Sequence, residues 1–204
     1  KLLLELGGNN AAIICPSADL DLTVKGVVFS ACGTTGQRCT SLRRLFVHEE
    51  IYDECVSRLN DYVNKLIIGC PSKDSSQVGP LISEESFNNM QVILDSLRSK
   101  DVEILGGERL EIEDPKEFYV RPALVLVDRI EDEMLKETFA PILYIKKFSD
   151  LKDAISMQNN VKQGLSSSIF TNDMRESELF LSESGSDCGI ANVNIGTSGA
   201  EIGG

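Results

Sequence analysis

Apolar residues along the chain fall into two kinds of segment, short continuous runs and longer stretches with helical spacing. Residues 10–15 consist of Asn10 and five apolar residues and end before Pro16, which is typical of a short buried strand. Residues 51–67 instead carry apolar side chains every three or four positions, which predicts an amphipathic helix. The same patterns predict strands at 44–48, 102–105, 119–127, 142–148, 167–170 and 188–193, and helices at about 19–30, 83–100, 150–159 and 173–184. This alternation predicts one α/β domain with a largely parallel sheet flanked by helices.

Polar residues mark the predicted helix starts and loops. Ser17 or Asp19 can cap the first helix, and Ser83 can cap the helix that follows it. Residues 70–80 are rich in Ser, Asp, Gly and Pro, and residues 109–117 are acidic. Both segments are therefore predicted to be surface loops.

The composition is that of an ordinary globular protein of 204 residues, with 25% charged residues and a net charge of −12. This charge argues against nucleic acid or anionic lipid as a partner. No apolar run approaches the roughly 20 residues needed to cross a bilayer, so we expect no membrane partner. Residues 1–50 hold five bases and five acids, so the rest of the chain carries the whole −12.

The cysteine and histidine residues indicate in which compartment the protein resides and whether it binds a metal ion. The chain has six cysteines without a Cys-x-x-Cys pair: Cys15, Cys32, Cys39, Cys55, Cys70 and Cys188. This spacing favours buried free thiols for five of them, in a reducing compartment, so we expect a cytoplasmic protein, with mitochondria as the alternative. The one histidine, His48, lies at a predicted strand end, where a structural role is expected. We therefore expect no metal site.

Two short segments near the start carry candidate chemistry. Glu5 is the single carboxylate in the apolar run 2–6; if buried, it would hold a proton more readily, which suits a general base. The alternative is a glutamate on an edge strand that faces water. Cys39 ends the Gly-rich segment 33–39, where exposure in a cleft would suit a thiolate nucleophile. The alternative is a buried, inert thiol.

These segments resemble the active-site motifs of the aldehyde dehydrogenase superfamily, Glu-Leu-Gly-Gly at 5–8 and Gly-Gln-Arg-Cys at 36–39. The 34 residues between Glu5 and Cys39 match the family's usual spacing of general base and nucleophile. A third match is Glu-Thr-Phe-Ala-Pro at 137–141. The similarity covers essentially the whole chain, which looks most like the branch that oxidises α-aminoadipic semialdehyde in lysine catabolism.

The resemblance implies the catalytic domain of an NAD-dependent aldehyde dehydrogenase. Cys39 would attack the aldehyde to form a thiohemiacetal, hydride transfer to NAD would give a thioester, and Glu5 would activate the water that hydrolyses it. Glu137 would bind the nicotinamide ribose and Phe139 would pack near the nicotinamide. Without the resemblance, Glu137 would be interpreted as a surface acid and Phe139 as a core ring.

The resemblance also implies an anchor for a substrate that carries a carboxylate. Arg38 can donate charged hydrogen bonds to that carboxylate, and the backbone N–H groups of Gly199 and Ala200 would complete the anchor. The alternative is that Arg38 pairs with an acidic side chain on its own surface, which the acidic composition makes easy.

The family places a Rossmann-type NAD domain mainly before the Glu-Leu-Gly-Gly motif, and this chain has no G-x-G-x-x-G after a strand. We therefore expect residues 1–204 to be the catalytic domain of a longer, homotetrameric enzyme, as the start at Lys1 and the end at Gly204 suggest. The NAD domain, the oligomerisation segment and the oxyanion asparagine would lie elsewhere. Alone, the chain should bind NAD poorly and lack appreciable activity, and its oligomeric state stays open. The alternatives are another aldehyde as substrate, an esterase-like cysteine enzyme, or a non-catalytic protein on this fold.

Overall fold

A seven-stranded sheet organises the described part of the chain, namely Leu2, residues 6–112 and residues 116–198 of a computed structural model. The strands are β1 (Asn10–Ile14), β2 (Leu42–His48), β3 (Glu103–Leu105), β4 (Arg109–Leu110), β5 (Tyr119–Val120), β6 (Ala123–Val127), β7 (Ile142–Phe148), β8 (Ser166–Phe170) and β9 (Ile190–Val193). The helices are α1 (Leu20–Cys32), α2 (Tyr52–Asn64), α3 (Glu84–Arg98), α4 (Leu151–Asn159) and α5 (Met174–Leu181). The sheet order is β3-β6-β7-β2-β1-β8-β9, with all neighbours parallel except β3 and β6. The predicted α/β fold with a largely parallel sheet is confirmed.

Helices cover both faces of the sheet, so the residues of a central strand such as β1 must be suited to burial on both sides. All five residues of β1 are buried. Ala12 and Ile14 pack with residues of α1 and α2 on one face, whereas Ala11 and Ile13 pack with residues of α4 and α5 on the other. A strand covered on both faces needs apolar residues at most positions, which is why the apolar run after Asn10 identified it.

Side-chain caps define the predicted helix starts. The Asp19 carboxylate accepts hydrogen bonds from two backbone N–H groups of the first turn of α1, at 3.0 and 3.2 Å. The Ser83 hydroxyl accepts one such bond, from the Ser86 N–H at the start of α3, at 3.2 Å. These bonds satisfy N–H groups that have no partner within the helix. Ser17, the other candidate cap, instead bonds the Thr171 hydroxyl at 2.9 Å.

Three predictions in the middle of the chain were wrong. Residues 119–127, predicted as one strand, form two, because Pro122 has no backbone N–H to donate to the ladder. Val120, before the break, pairs with Arg109 in the separate antiparallel pair β4–β5, and the residues after the break join the main sheet as β6. The predicted loop 109–117 therefore begins with a strand. Helix α2 also ends three residues before its predicted end.

The parallel strands give the sheet two distinct ends. The amino end consists of the first residues of β1, β2, β7 and β8 with the segments that precede them, so residues 6–9, 33–41, 137–141 and 160–165 meet there. The carboxyl end consists of the last residues of β2, β6 and β7 with the segments that follow. Among the helices described, none has the length and apolar character needed to span a membrane.

Candidate active site

Cys39 lies in a tight turn at the amino end of the sheet, within residues 33–41, which we call the thiol turn. The turn begins with a 3₁₀ segment in which Thr34 and Thr35 adopt left-handed backbone angles, φ 52° and 57°. Such angles are uncommon for threonine and persist where the surrounding structure holds them. The Cys39 side chain is half-buried, and its backbone carbonyl accepts a 2.8 Å hydrogen bond from Asn10 Nδ2. The turn therefore presents a partly exposed thiol from a fixed backbone.

The other cysteines differ from Cys39 in burial or in location. Three of them are fully buried: Cys15, Cys32 and Cys55. Burial raises the pKa of the Cys32 and Cys55 thiols to about 12, which keeps them protonated and poorly nucleophilic. The prediction that all five are buried is wrong for Cys70 and Cys188, which are half-buried. Cys188 also has its pKa raised by burial, and Cys70 lies in the loop that follows α2.

The thiol turn touches residues 137–141, which we call the Glu137 loop, backbone against backbone. Gly36 has φ +65°, and a Cβ there would lie 2.7 Å from the carbonyl carbon and oxygen of Ala140 and 2.8 Å from Cα of Pro141. Such distances exclude any residue but glycine. The glycine of the Gly-Gln-Arg-Cys motif and the Ala-Pro pair of the third motif are therefore packed against each other.

Glu137 approaches the two glycines that precede β1. A Cβ on Gly7 would overlap the Glu137 carboxylate, and the Gly8 N–H donates to Glu137 Oε1 at 3.4 Å. Residues 6–9, Leu135, Glu137 and residues 161–163 line a cavity of about 210 Å³ at this point. Because sites for whole drug-sized ligands measure roughly 300–1,000 Å³, this cavity suits one part of a larger molecule. The exposed Glu137 carboxylate can accept hydrogen bonds from hydroxyl groups, and Gly7 and Gly8 have no side chains to block a ring beside it. The cavity therefore fits a hydroxylated ring such as a ribose.

Phe139 is not a core ring, because 41% of its surface is exposed. Its backbone is left-handed, with φ 55°. The guanidinium carbon of Arg43 lies 5.7 Å from the centroid of its ring, and Arg43 donates a 2.8 Å hydrogen bond to the Ala140 carbonyl. Burial lowers the pKa of Arg43 to about 10, and the Glu137 carboxylate opposes this shift, so Arg43 is charged at neutral pH.

Arg38 is held beside Cys39 without an acidic partner in the described residues. Its Nε donates to the Thr34 hydroxyl at 2.8 Å, and its guanidinium carbon lies 5.5 Å from the centroid of the half-exposed Phe29 ring. These contacts leave the terminal guanidinium nitrogens available. The alternative that Arg38 pairs with a surface acid is not what this part of the structure shows.

The chain turns back after β9 and returns to the thiol turn. The Ser166 hydroxyl donates to the Thr197 carbonyl at 2.8 Å, and the Thr197 hydroxyl donates to the Thr40 carbonyl at 2.8 Å. The Ser198 hydroxyl lies 3.3 Å from the Thr40 hydroxyl. Residues 197 and 198 therefore contact the residue that follows Cys39.

Three predicted site residues, Glu5, Gly199 and Ala200, lie outside the described residues. Their predicted roles stay predictions. The adjacent described residues are Leu6, which lines the cavity beside Glu137, and Ser198, which contacts the thiol turn.

Asn10 is a site residue that sequence reasoning missed. It is 1% exposed, and its Nδ2 donates to the carbonyls of Cys39 and Ser41 at 2.8 and 2.9 Å. Its Oδ1 accepts from the backbone N–H groups of Leu165 and Ser166 at 3.2 and 2.9 Å. One amide thus ties the thiol turn to the start of β8. The sequence does contain an indication of this role, because Asn10 is a polar residue at the start of an otherwise apolar strand. A polar side chain buried there needs hydrogen-bond partners.

Arg44 was missed in the same way. It is 1% exposed and donates to the side chain and the carbonyl of Asn9, each at 2.7 Å. It also donates to the carbonyls of Met157 and Gln158 at 2.8 and 3.0 Å, near the C-terminus of α4. Arg44 therefore fixes the segment before β1 to a helix end, where a cation is favourable.

His48 lies at the far end of β2 from Cys39. Its Nε2 is 3.2 Å from the Ser149 carbonyl, and its ring packs edge-on against Phe148. This position separates it from the thiol. Within residues 6–112 and 116–198, no three His, Cys, Asp or Glu side chains converge as metal ligands would.

Comparison with known proteins identifies the class to which this fold and thiol turn belong. Residues 1–203 match the aldehyde dehydrogenase family, so the chain belongs to that family. The family resemblance predicted from the three motifs is confirmed.

Relatives with high similarity are named for one branch of the family. The chain is 45% identical over 207 residues to the α-aminoadipic semialdehyde dehydrogenase of Rattus norvegicus, covering 100% of this chain and 38% of that protein. It is 43% identical over 205 residues to the putative aldehyde dehydrogenase family 7 member A1 homolog of Dictyostelium discoideum, covering 100% of this chain and 40% of that protein. The predicted similarity to this branch, also called antiquitin, is confirmed. The chain spans about two fifths of the length of these relatives.

A solved structure supports the assignment to the aldehyde dehydrogenase family. The 1-pyrroline-5-carboxylate dehydrogenase from Thermus with bound NAD superimposes with a TM-score of 0.87 at 26% identity, covering 97% of this chain and 37% of that one. The named relatives are aldehyde dehydrogenases, which are oxidoreductases.

Proposed function

We propose that the full-length protein containing this chain oxidises an aldehyde to a carboxylate with NAD, and that the aldehyde is α-aminoadipic semialdehyde. The observation that carries the proposal is the half-buried Cys39 thiol, whose backbone is fixed at the amino end of the sheet. It lies beside Arg38, which has no acidic partner within the described residues, and Gly36 of the same turn packs against the Glu137 loop. The α-aminoadipic semialdehyde dehydrogenase of the rat, 45% identical to this chain, supports the choice of substrate.

Cys39 supplies the nucleophile. Its sulfur forms a bond to the aldehyde carbon, and the carbonyl oxygen takes the negative charge of the thiohemiacetal. No acceptor within the described residues takes the Cys39 backbone N–H, which leaves this donor free for the developing oxyanion. A positioned donor of this kind is commonly worth about 10²–10³ in rate. The asparagine that would share this role belongs to a part of the protein outside this chain.

NAD fits the residues present at the Glu137 loop, although most of its site would lie outside this chain. The Glu137 carboxylate beside Gly7 would hold the nicotinamide ribose, and the exposed Phe139 ring would support the nicotinamide. When bound, NAD provides the acceptor for the hydrogen and the electron pair removed as the thiohemiacetal becomes a thioester. The chain's own residues position this group against the thiol.

Glu5 completes the cycle as general base. It would take a proton from a water molecule as that water attacks the thioester, which releases the carboxylate product and the Cys39 thiol. Its place in the chain, directly before the Leu6–Gly8 wall of the cavity beside Glu137, supports this role.

Arg38 is proposed to select a carboxylate-bearing aldehyde. Its terminal nitrogens can form paired hydrogen bonds to the far carboxylate of the substrate, while Phe29 and Thr34 fix the side chain. The backbone N–H groups of Gly199 and Ala200 would bind the same carboxylate. The contact of Ser198 with Thr40 supports their proximity to the thiol turn.

The proposal covers the whole protein, not residues 1–204 alone. We propose that this chain is its catalytic domain, that the NAD domain and the oligomerisation segment lie in the rest of a homotetramer, and that the isolated chain lacks appreciable dehydrogenase activity. A cytoplasmic or mitochondrial location belongs to the same proposal.

The test compares kcat/KM of the full-length protein for α-aminoadipic semialdehyde with that for an uncharged aldehyde of similar length. The Arg38→Ala variant should lower kcat/KM for the charged substrate about 10- to 100-fold, because a hydrogen bond to a charged group is worth about 1.5–3 kcal/mol, and should leave the uncharged aldehyde nearly unaffected. Arg98→Ala, which removes an exposed arginine of α3, is the matched control and should change neither. An unchanged preference in Arg38→Ala would remove the anchor, and a wild-type protein without NAD-dependent oxidation of either aldehyde would refute the function.

A further inference from the structure

Arg43 lies between the two loops that carry the proposed chemistry. Its side chain donates to the Ala140 carbonyl at 2.8 Å and to the Arg38 carbonyl at 3.5 Å. Its guanidinium carbon lies 5.7 Å from the Phe139 ring centroid. We propose that Arg43 is a positioning residue that holds the Glu137 loop against the thiol turn and so sets where Phe139 and Glu137 meet the cofactor. This inference rests on the proposed function.

A packing role alone does not explain an arginine at this position. Other residues of β2, such as Leu45 and Val47, are aliphatic and belong to the apolar core, whereas Arg43 is a cation that is only 3% exposed. Burying a cation without an ion pair is costly, and the described residues provide no carboxylate at ion-pair distance. Its Nε has no acceptor in this structure. An aliphatic residue would avoid this cost, so the charge and the planar donors must serve another purpose.

The shape of the guanidinium group fits that purpose. Its planar fork reaches carbonyls of both loops at once and still presents its face to an aromatic ring, which a lysine ammonium cannot do. The Phe139 backbone is left-handed, with φ 55°, a conformation that surrounding contacts must hold. Arg43 provides two such contacts, a hydrogen bond to the carbonyl of Ala140 and the packing of its guanidinium group on the Phe139 ring.

The test is NADH binding to the full-length protein without aldehyde, measured by fluorescence titration. Arg43→Met should raise the Kd for NADH at least tenfold, and Arg43→Lys, which keeps the charge but not the fork, should raise it less. In a Phe139→Leu background the effect of Arg43→Met should shrink at least threefold, because the ring contact is already lost. In steady-state assays KM for NAD should rise while KM for the aldehyde stays within twofold.

Arg44→Lys is the matched control. Arg44 is the next residue of the same strand and equally buried, but it contacts Asn9 rather than Phe139, so its effect on the Kd should be equal in both backgrounds. NADH binding by both Arg43 variants within twofold of wild type, or an Arg43 effect unchanged by Phe139→Leu, would overturn the inference. A lowered Tm with an unchanged Kd for NADH would also overturn the inference. If Arg43→Met does not fold, the Kd of Arg43→Lys is the deciding measurement. If the wild-type protein binds no NADH, the proposed function itself is refuted. That result would be known before any variant is compared.

Discussion

The two ends of the sheet differ in how their polar groups are held. At the amino end Asn10, Arg43 and Arg44 are each at most 3% exposed and bond backbone carbonyls of neighbouring loops. At the carboxyl end charged side chains are partly or largely exposed and pair with one another, as Lys100 does with two glutamates at 2.7 and 2.5 Å. The first arrangement fixes loop backbones, whereas the second leaves long side chains in water.

Cavity size and position point to the opposite end from the family motifs. A cavity of about 790 Å³ at the carboxyl end, between α2 and the residues that follow β6, is larger than the 210 Å³ cavity beside Glu137. Open parallel sheets also usually bind ligands at the carboxyl ends of their strands. The motif residues Cys39, Glu137 and Phe139 nevertheless lie at the amino end. The proposed site therefore rests on buried hydrogen bonds that fix the backbone of the thiol turn rather than on cavity size, because catalysis depends on groups held in place before the substrate arrives.

The largest effect should come from the thiol at the amino end. Cys39→Ser in the full-length protein should lower kcat at least about 10³-fold, because a serine hydroxyl without a base beside it is a far weaker nucleophile. The Kd for NADH and the Tm should stay close to wild type, since the side chain is half-buried and similar in size.

Cys70→Ser is the control for this prediction. Cys70 is also half-buried, but it lies in the loop after α2, and its substitution should leave kcat unchanged. If Cys39→Ser retained full activity, the chemistry would not depend on this thiol, and the contrast between the two ends would lose its functional meaning.

A smaller effect should follow from loosening the backbone of the thiol turn. Asn10→Ala would remove four hydrogen bonds and leave buried carbonyls of Cys39 and Ser41 without donors. We expect a loss of about 3 kcal/mol in the free energy of unfolding, because each unsatisfied buried group costs about 1–3 kcal/mol. Activity should fall as well, since the turn that carries the thiol is no longer tied to β8.

Urea unfolding and kcat measured on the same preparations check this expectation. Asn64→Ala, which removes an exposed asparagine of α2, is the control and should change stability by less than about 0.5 kcal/mol. Equal stability of the two variants would show that the buried network at the amino end does not hold the turn.

Local patterns in the sequence predicted the elements and the motif positions but not the contacts that join them. The strand at Asn10–Ile14 and the helix at Leu20–Cys32 follow from apolar runs and spacing, which act over a few residues. The role of Arg44 depends on carbonyls 113 and 114 positions away, near the end of α4. No local pattern encodes such a partner.

The return of the chain after β9 shows the same limit. The buried serines of β8 need partners, and Ser166 finds one in the Thr197 carbonyl, 31 positions later. The sequence indicates the need but not the partner, because the tertiary fold decides which segment covers the serines. The motif positions near Cys39 were predictable because a resemblance carries tertiary information that spacing alone does not.

The smallest effect should come from the carboxyl end. Lys100→Met removes the ion pairs to Glu131 and Glu133. All three side chains are partly exposed to solvent, so the Tm should shift little. The Kd for NADH and kcat should stay at wild-type values. Lys100 lowers the pKa of Glu133, so its contribution is present above the ordinary glutamate pKa and is lost as the pH falls through the lowered one. Any difference in Tm between the variant and wild type should therefore vanish in acid and shrink in high salt. A loss of activity in Lys100→Met comparable to that in Asn10→Ala would contradict the contrast, because it would tie the charged carboxyl end to the chemistry at the amino end.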